Sequence, residues 1–325
     1  MKKHFKKLLL MALMAVMAVG LIACGTDKSH NESTKEEKTS VTITSLDASK
    51  NEIELEVPYN PKRIAILDLA CLDIIDELGV GDRVVGMAST SIDYLEKYSN
   101  DASIKNLGTI KEADLEAVME CEPDIIFIGG RLSKSYDALS EIAPVVYLAT
   151  DTNEGLVNSV SKNAKTIASI FGMEDKVDSL MSDFGARIDA IKKISSGKTA
   201  LVGMTTSGSF NLLGNDGRCS LIGVEAGFNN LTAAGSTSTH GNESSFETVV
   251  QQNPDYIFVM DRDSAISTAG AKTAKEIVEN ELVKTTDAYK NNHIIYLEHS
   301  NVWYTAEGGI QALDIMLTDL EKGLK

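Results

Sequence analysis

The sequence predicts an α/β protein of two lobes, each a parallel sheet covered by helices, joined by a long rigid helix with a ligand cleft between the lobes. Three observations predict it. Short apolar runs alternate with amphipathic stretches from Pro61 onward, the pattern of βα units. The alternation stops over about forty residues of helical signal near the middle of the chain and then restarts. A segment of the first half also recurs in the second at a constant offset of 131 residues without a gap. Asp114-Leu-Glu-Ala-Val-Met-Glu-Cys-Glu-Pro-Asp124 runs into Ile125-Ile-Phe-Ile-Gly-Gly-Arg131; Ser245-Phe-Glu-Thr-Val-Val-Gln-Gln-Asn-Pro-Asp255 runs into Tyr256-Ile-Phe-Val-Met-Asp-Arg262. Helix, Pro-Asp turn, buried strand and terminal arginine thus occur twice.

The elements follow in chain order. Lys2, Lys3, Lys6 and Lys7 precede an apolar run, Leu8 to Leu21. At about 14 residues it is too short to span a bilayer and reads as the apolar core of a secretory signal, residues 1–23. Leu21-Ile-Ala-Cys24-Gly25 resembles a bacterial lipobox, in which the cysteine is acylated after cleavage. Residues 24–40 then form a polar tether of mixed charge with no apolar period. The folded part begins at Val41, with alternating strands at Val41–Ile43 and Ile53–Val57. A first lobe, 41–172, carries strands at 63–67, 83–88, 125–128 and 143–148, and helices at 69–78 and 114–121. Residues 173–196 place Val177, Leu180, Met181, Phe184, Ile188 and Ile191 on one helical stripe, which predicts a connecting helix of about 30 Å. The second lobe, 197–325, carries strands at 199–204, 256–260 and 294–297. Its helices are at 219–227, 246–252, 274–282 and 310–322.

Composition narrows the function. The chain has 325 residues, and its net charge of −16 argues against nucleic acid as a partner. An anion site in so acidic a protein needs arginines placed locally. Beyond Cys24, the three thiols Cys71, Cys121 and Cys219 allow at most one internal bridge, and their apolar settings predict buried, unreactive side chains. No GxSxG, HExxH or CxxC occurs, and Val84 stands where the third glycine of a pattern begun at Gly79 would be. An enzyme is therefore not expected.

Ligands of open parallel sheets bind beyond the carboxyl ends of the strands. Arg131 and Arg262 stand just past equivalent strands, and Arg218 lies in a Gly-rich loop on the same edge of the second lobe. Guanidinium suits planar, multi-oxygen anions. His240, in a loop of small polar residues, and Tyr304, in the stretch 301–309, are candidate ligands for a trivalent metal already held mostly by an organic chelator.

The lipobox, the paired segments, the pattern Asn106-Leu-Gly-Thr-Ile-Lys-Glu112, and the loops at Ser238-Thr-His-Gly241 and Trp303-Tyr304 resemble siderophore-binding lipoproteins of bacterial ABC iron importers. The resemblance is greatest to the branch that takes ferric catecholates and mixed catecholate–carboxylates. It runs from about Val41 to Lys325 and implies two Rossmann-like lobes with a ferric siderophore as ligand and no intrinsic cofactor. It implies that Arg131, Arg218 and Arg262 hold the anionic complex. His240 and Tyr304 would then complete the Fe(III) sphere of four-oxygen chelators, and Glu116 and Glu247 would dock on the permease. A monomer anchored by lipid at Cys24 to the extracytoplasmic face of the membrane is expected, with only small closure on binding. The rival readings are a haem or cobalamin receptor of the same fold and an adhesion or structural lipoprotein.

Overall fold

A computed structural model describes residues 38–234 and 236–325; the signal segment 1–23, the acylation site Cys24 and the tether up to residue 37 lie outside the described residues. Residues 38–325 form one compact unit. Among the described residues no helix is long and apolar enough to cross a membrane.

The unit opens with an antiparallel hairpin, β1 (Ser40–Leu46) and β2 (Glu52–Pro58), in register Ser40 to Pro58. The first lobe follows: β3 (Ile64–Ile66), α1 (Leu69–Glu77), β4 (Val84–Met87), α2 (Glu96–Ser99), β5 (Lys105–Asn106), α3 (Leu115–Glu120), β6 (Ile125–Ile128), α4 (Tyr136–Ser140) and β7 (Val145–Tyr147). Its strands lie in the order β5-β4-β3-β6-β7, all parallel. β3, β6 and β7 are buried along their whole length, which is why they read as unbroken apolar runs rather than alternating ones.

The connection differs from the expected single helix. It is α5 (Leu156–Phe171), α6 (Glu174–Leu180) and α7 (Phe184–Ser195), with a break at residues 181–183. The apolar stripe persists, since Val177, Phe184, Ile188 and Ile191 are all buried. The break falls where propensity is lowest: Ser182 turns its hydroxyl back onto the Ser179 carbonyl at 2.8 Å, and Asp183 and Gly185 follow. Periodicity reports which face is buried and is blind to a turn that keeps the phase.

The second lobe contains β8 (Thr199–Thr206), β9 (Ser209–Leu212), α8 (Ser220–Gly223), β10 (Asn229–Asn230), β11 (Asn242–Glu243), α9 (Phe246–Gln252), β12 (Tyr256–Asp261), α10 (Arg262–Ala265), α11 (Ala274–Val278), α12 (Asp287–Lys290), β13 (Ile294–Tyr296), α13 (Ser300–Thr305) and α14 (Ile310–Gly323). The order is β11-β9-β8-β12-β13, with β10 pairing β8. β8, β12 and β13 are parallel, but β9 folds back on β8 as a hairpin through Ser207-Gly208, so this sheet is mixed. Both turn residues have positive φ, 50° and 81°, as a tight hairpin demands. The expected helices at 219–227 and 274–282 shorten to four and five residues.

One apolar core runs through both lobes. It joins Leu72 and Ile75 of α1, Ile167 of α5, Val202 and Met204 of β8, and Leu313 and Leu317 of α14. α14 closes the chain by packing on α1, α5, α7 and α13. Two satellite cores lie on the outer faces, under α3 and α4 in the first lobe and under α9 and α11 in the second.

Candidate functional site

The repeated segments deliver equivalent strand ends. In the first lobe the chain leaves β6 through Gly129-Gly130 into a 3-10 turn that carries Arg131. A Cβ on Gly129 would meet the Asp68 carboxylate at 2.1 Å, so glycine is what lets the strand end approach the start of α1. There Asp68 caps α1 by accepting from the Cys71 amide at 3.0 Å. In the second lobe Asp261 caps α10 and Arg262 is its first residue.

Both arginines reach the same residue, Tyr304. Arg131 Nη2 donates to the Tyr304 carbonyl oxygen at 2.9 Å, and Arg262 Nε donates to the Tyr304 hydroxyl at 3.1 Å. The guanidinium carbons of Arg131, Arg218 and Arg262 stand 5.5, 4.5 and 5.6 Å from the Tyr304 ring centroid. Three cations around one aromatic ring are held partly by its quadrupole. Tyr304 is 3% exposed beneath them. Its carrier, expected as a loop, is the short helix α13, fixed by the fully buried Trp303, whose indole donates to Asp319 at 3.0 Å. Six residues fall short of two turns, so the sequence carries no period there.

The hydrogen bonds separate these arginines from structural ones. Arg187 makes five bonds to Asp314, Thr318 and Glu321 of α14. Arg131 and Arg218 make one each, to the Tyr304 and Thr239 carbonyls, and neither forms a salt bridge among the described residues. Arg262 donates to Tyr304, Thr206 and Asp263. A guanidinium has five N–H donors, so most of the donors of Arg131 and Arg218 stay available to a ligand.

The site's electrostatics are unbalanced toward positive charge. Burial and then Arg218 push the Arg131 guanidinium down from its ordinary value. The carboxyl groups beside these cations do not neutralise them fully: burial drives Glu307 up to about 7, against the pull of Arg218, and raises Asp68. Glu307 also accepts from the Cys219 amide at 2.8 Å. Cys219 sits at φ 64°, a left-handed conformation costly for a non-glycine residue, immediately after Arg218. The Tyr304 hydroxyl lies below its ordinary value: burial works against this, but the Arg262 hydrogen bond and the charges of Arg262, Arg218 and Lys111 outweigh it. His240 is exposed and lines neither cavity, and burial together with the charges of Arg262, Arg218 and Lys111 lowers its pKa. The shift favours the neutral imidazole, which keeps a lone pair.

The cavity against Arg131, Arg218, Tyr304 and Glu307 is about 320 Å³. It adjoins a larger one of about 640 Å³ over the 147–154 loop, and Leu148, Thr150, Asn163, Arg218 and Glu307 line both. Sequence reasoning missed Glu307 and Lys111. Glu307 gave no sign, since a lone acid in an acidic chain carries none; Lys111 was inside the quoted 106–112 pattern. Glu116 and Glu247 lie away from the cleft, exposed on the first turns of α3 and α9, behind the caps Asp114 and Ser245. Cys71, Cys121 and Cys219 are buried free thiols, and burial pushes those of Cys71 and Cys219 well up.

Two α/β lobes that present arginines with unused donors to a shared crevice define a receptor for an anionic solute. The chain belongs to the periplasmic binding protein family, whose profile matches residues 64–300. It is 36% identical to the petrobactin-binding protein YclQ of Bacillus subtilis over 98% of this chain and 99% of that one. It is 26% identical to the ferric-anguibactin-binding protein FatB of Vibrio anguillarum over 82% and 84%. Among solved structures, that of B. subtilis YclQ superposes with a TM-score of 0.81 at 35% identity, over 88% of this chain and 99% of that one. The catecholate-siderophore binding protein VctP of Vibrio cholerae gives 0.78 at 30%, over 87% and 100%.

Proposed function

We propose that this chain captures a ferric siderophore of the catecholate type in the cleft and delivers it to an ABC permease. The convergence of three guanidiniums on Tyr304, with most donors of Arg131 and Arg218 unused, carries this reading. A ferric catecholate is bulky, aromatic and anionic: the arginines meet its charge, and the adjoining chamber takes the bulk that the 320 Å³ cavity leaves outside. The ligands for which the relatives are named, petrobactin and a catecholate siderophore, support the same class.

Arg131, Arg218 and Arg262 hold the complex. When the chelator supplies four oxygens, neutral His240 and the Tyr304 hydroxyl complete the iron sphere. Ligation requires Tyr304 to give up its hydroxyl proton, which the Arg262 hydrogen bond and the charges of Arg262 and Arg218 favour. Glu116 and Glu247, one per lobe on matching helices, make the permease contacts. The chain works as a monomer, tethered through acylated Cys24 on the extracytoplasmic face. The test is a ligand panel read by Trp303 fluorescence on wild type, His240→Ala and Tyr304→Phe. Nanomolar quenching by ferric catecholates is expected, with losses in the variants confined to four-oxygen chelators. Tighter binding of haem or cobalamin would overturn the reading.

A further inference from the structure

Asp73 is out of place in α1. Its helix neighbours Leu72, Ile74 and Ile75 are core residues, yet Asp73 is a carboxylate with no exposed surface. Burying such a group costs several kcal/mol unless its oxygens are satisfied. Here they are satisfied from the far end of the chain. Oδ1 accepts from the Gln311 amide and Oδ2 from the Ala312 amide, both at 2.9 Å, and Oδ2 also accepts from the Tyr94 hydroxyl at 2.6 Å. α14 has no cap of its own, because Gly309 stands at its N-cap. A Cβ there would come within 2.4 Å of the Asp73 carboxyl carbon. A side chain of the first lobe thus does the capping of a fourteen-residue helix.

The capped turn follows α13, which carries Tyr304, after only the four residues 306–309, Glu307 among them. α13 is tied to the first lobe at two further points, Asn301 Nδ2 to the Ser91 carbonyl at 2.8 Å and Arg131 to the Tyr304 carbonyl. It is tied to the second through Arg262 and through the Ser300 hydroxyl, which accepts from the Asp261 amide at 3.2 Å. The segment 306–309 between the two helices is a turn that includes Gly308 and Gly309. Its position is set by what holds its ends.

We propose that Asp73 is a positioning residue for the cleft: by clamping the first turn of α14 to α1 it sets the place of Tyr304 and Glu307 relative to Arg131. The proposal rests on the reading of the cleft as the chelate site and goes beyond it, since Asp73 touches no ligand. Tyr94 is the titratable side chain bonded to it, and Asp76 and Glu77 of the next turn act on Tyr94.

The test compares Asp73→Ala and the near-isosteric Asp73→Asn by three measurements. In the ligand-free protein, hydrogen exchange at the Gln311 and Ala312 amides should quicken by about tenfold in Asp73→Ala, the size expected for a lost helix cap. The Tyr304 ring resonances should shift in the same variant. Affinity for a four-oxygen ferric catecholate, measured well below the melting temperature, should fall by about tenfold, with partial rescue in Asp73→Asn, and this loss should vanish in a Tyr304→Phe background. A lowered melting temperature with unmoved Tyr304 resonances and unchanged affinity would overturn the proposal. Failure of wild type to bind any ferric chelate would instead overturn the function, and the ligand-free measurements would still decide the role of Asp73. Should Asp73→Ala not fold, Asp73→Asn carries the exchange and resonance measurements, where no change in either is the refuting result.

Discussion

Replacing Arg218 by glutamine removes one charge from the cleft, shortens the side chain by two bonds and leaves a neutral amide in its place. Arg218 stands closest of the three to the Tyr304 ring, at 4.5 Å, and spends one donor on the Thr239 carbonyl. A bound chelate carrying a unit of negative charge about 6 Å away interacts with it by about 3 kcal/mol at an effective dielectric of about 20. One lost charge-assisted hydrogen bond is worth about 1.5–3 kcal/mol, and the two figures describe overlapping parts of one interaction. The expected loss is therefore about 3 kcal/mol, or about a hundredfold in Kd. Fluorescence titration with a ferric catecholate at two ionic strengths measures it. The loss should be smaller at the higher ionic strength, because Arg218 is only half-buried and its bond to Thr239 is exposed, so salt screens part of the charge. Arg187→Gln is the control, since that arginine is fully engaged with α14. It should cost stability and leave Kd intact. A change below threefold for Arg218→Gln, or an equal change for Arg187→Gln, would refute the claim that unpaired guanidiniums provide the affinity.

Other outcomes follow from the same geometry. Glu307 titrates near 7, and a neighbouring anion raises it further, so chelate binding at pH 7 should take up protons. Affinity should then decline as pH rises above 7, and Glu307→Gln should abolish both effects in calorimetry across buffers of different ionisation enthalpy. Asp73 and Glu307 are raised by burial from 3.8 and 4.5 to about 6 and about 7. The native state therefore binds their protons more tightly than the unfolded chain. Their contribution to stability is full below about pH 4 and is lost as pH rises through 6 to 7. Melting temperature should fall across that range, and less steeply in Glu307→Gln. Gly309→Ala should destabilise the protein by about 2 kcal/mol or more through overpacking against the Asp73 carboxyl, measured by denaturant unfolding. Small-angle scattering should show only slight compaction on ligand binding, because α13 is bonded to both lobes.

The parts of this molecule that the sequence disclosed are those set by burial. The β6 and β12 runs are apolar because both their faces are covered, and the repeated Pro-Asp turn fixed where the strands begin. Asp124 accepts from the amides of Lys62 and Arg63, and Asp255 from that of Thr199, so each repeat's aspartate ties its strand to the neighbouring one. The arginine cluster was legible because strand ends in parallel sheets point at ligands. What stayed hidden is set by contacts remote in sequence. The break at 181–183 keeps the apolar phase; β9 is too short for its alternation to register; α13 owes its shape to Trp303 and Asp319. Asp73 could not be singled out either, because its partners are 238 and 239 positions away.

The final helix has a consequence for how this chain can be divided. Leu313, Leu317 and Leu320 complete the interior on which α1 and α5 rest, although they are made last. A fragment cut after the connector would bare that surface and leave Asp73 without its amide donors. During synthesis the amino-terminal half must therefore wait for the carboxyl terminus before it is finished, and truncation at the tail should unfold the opposite end of the molecule first.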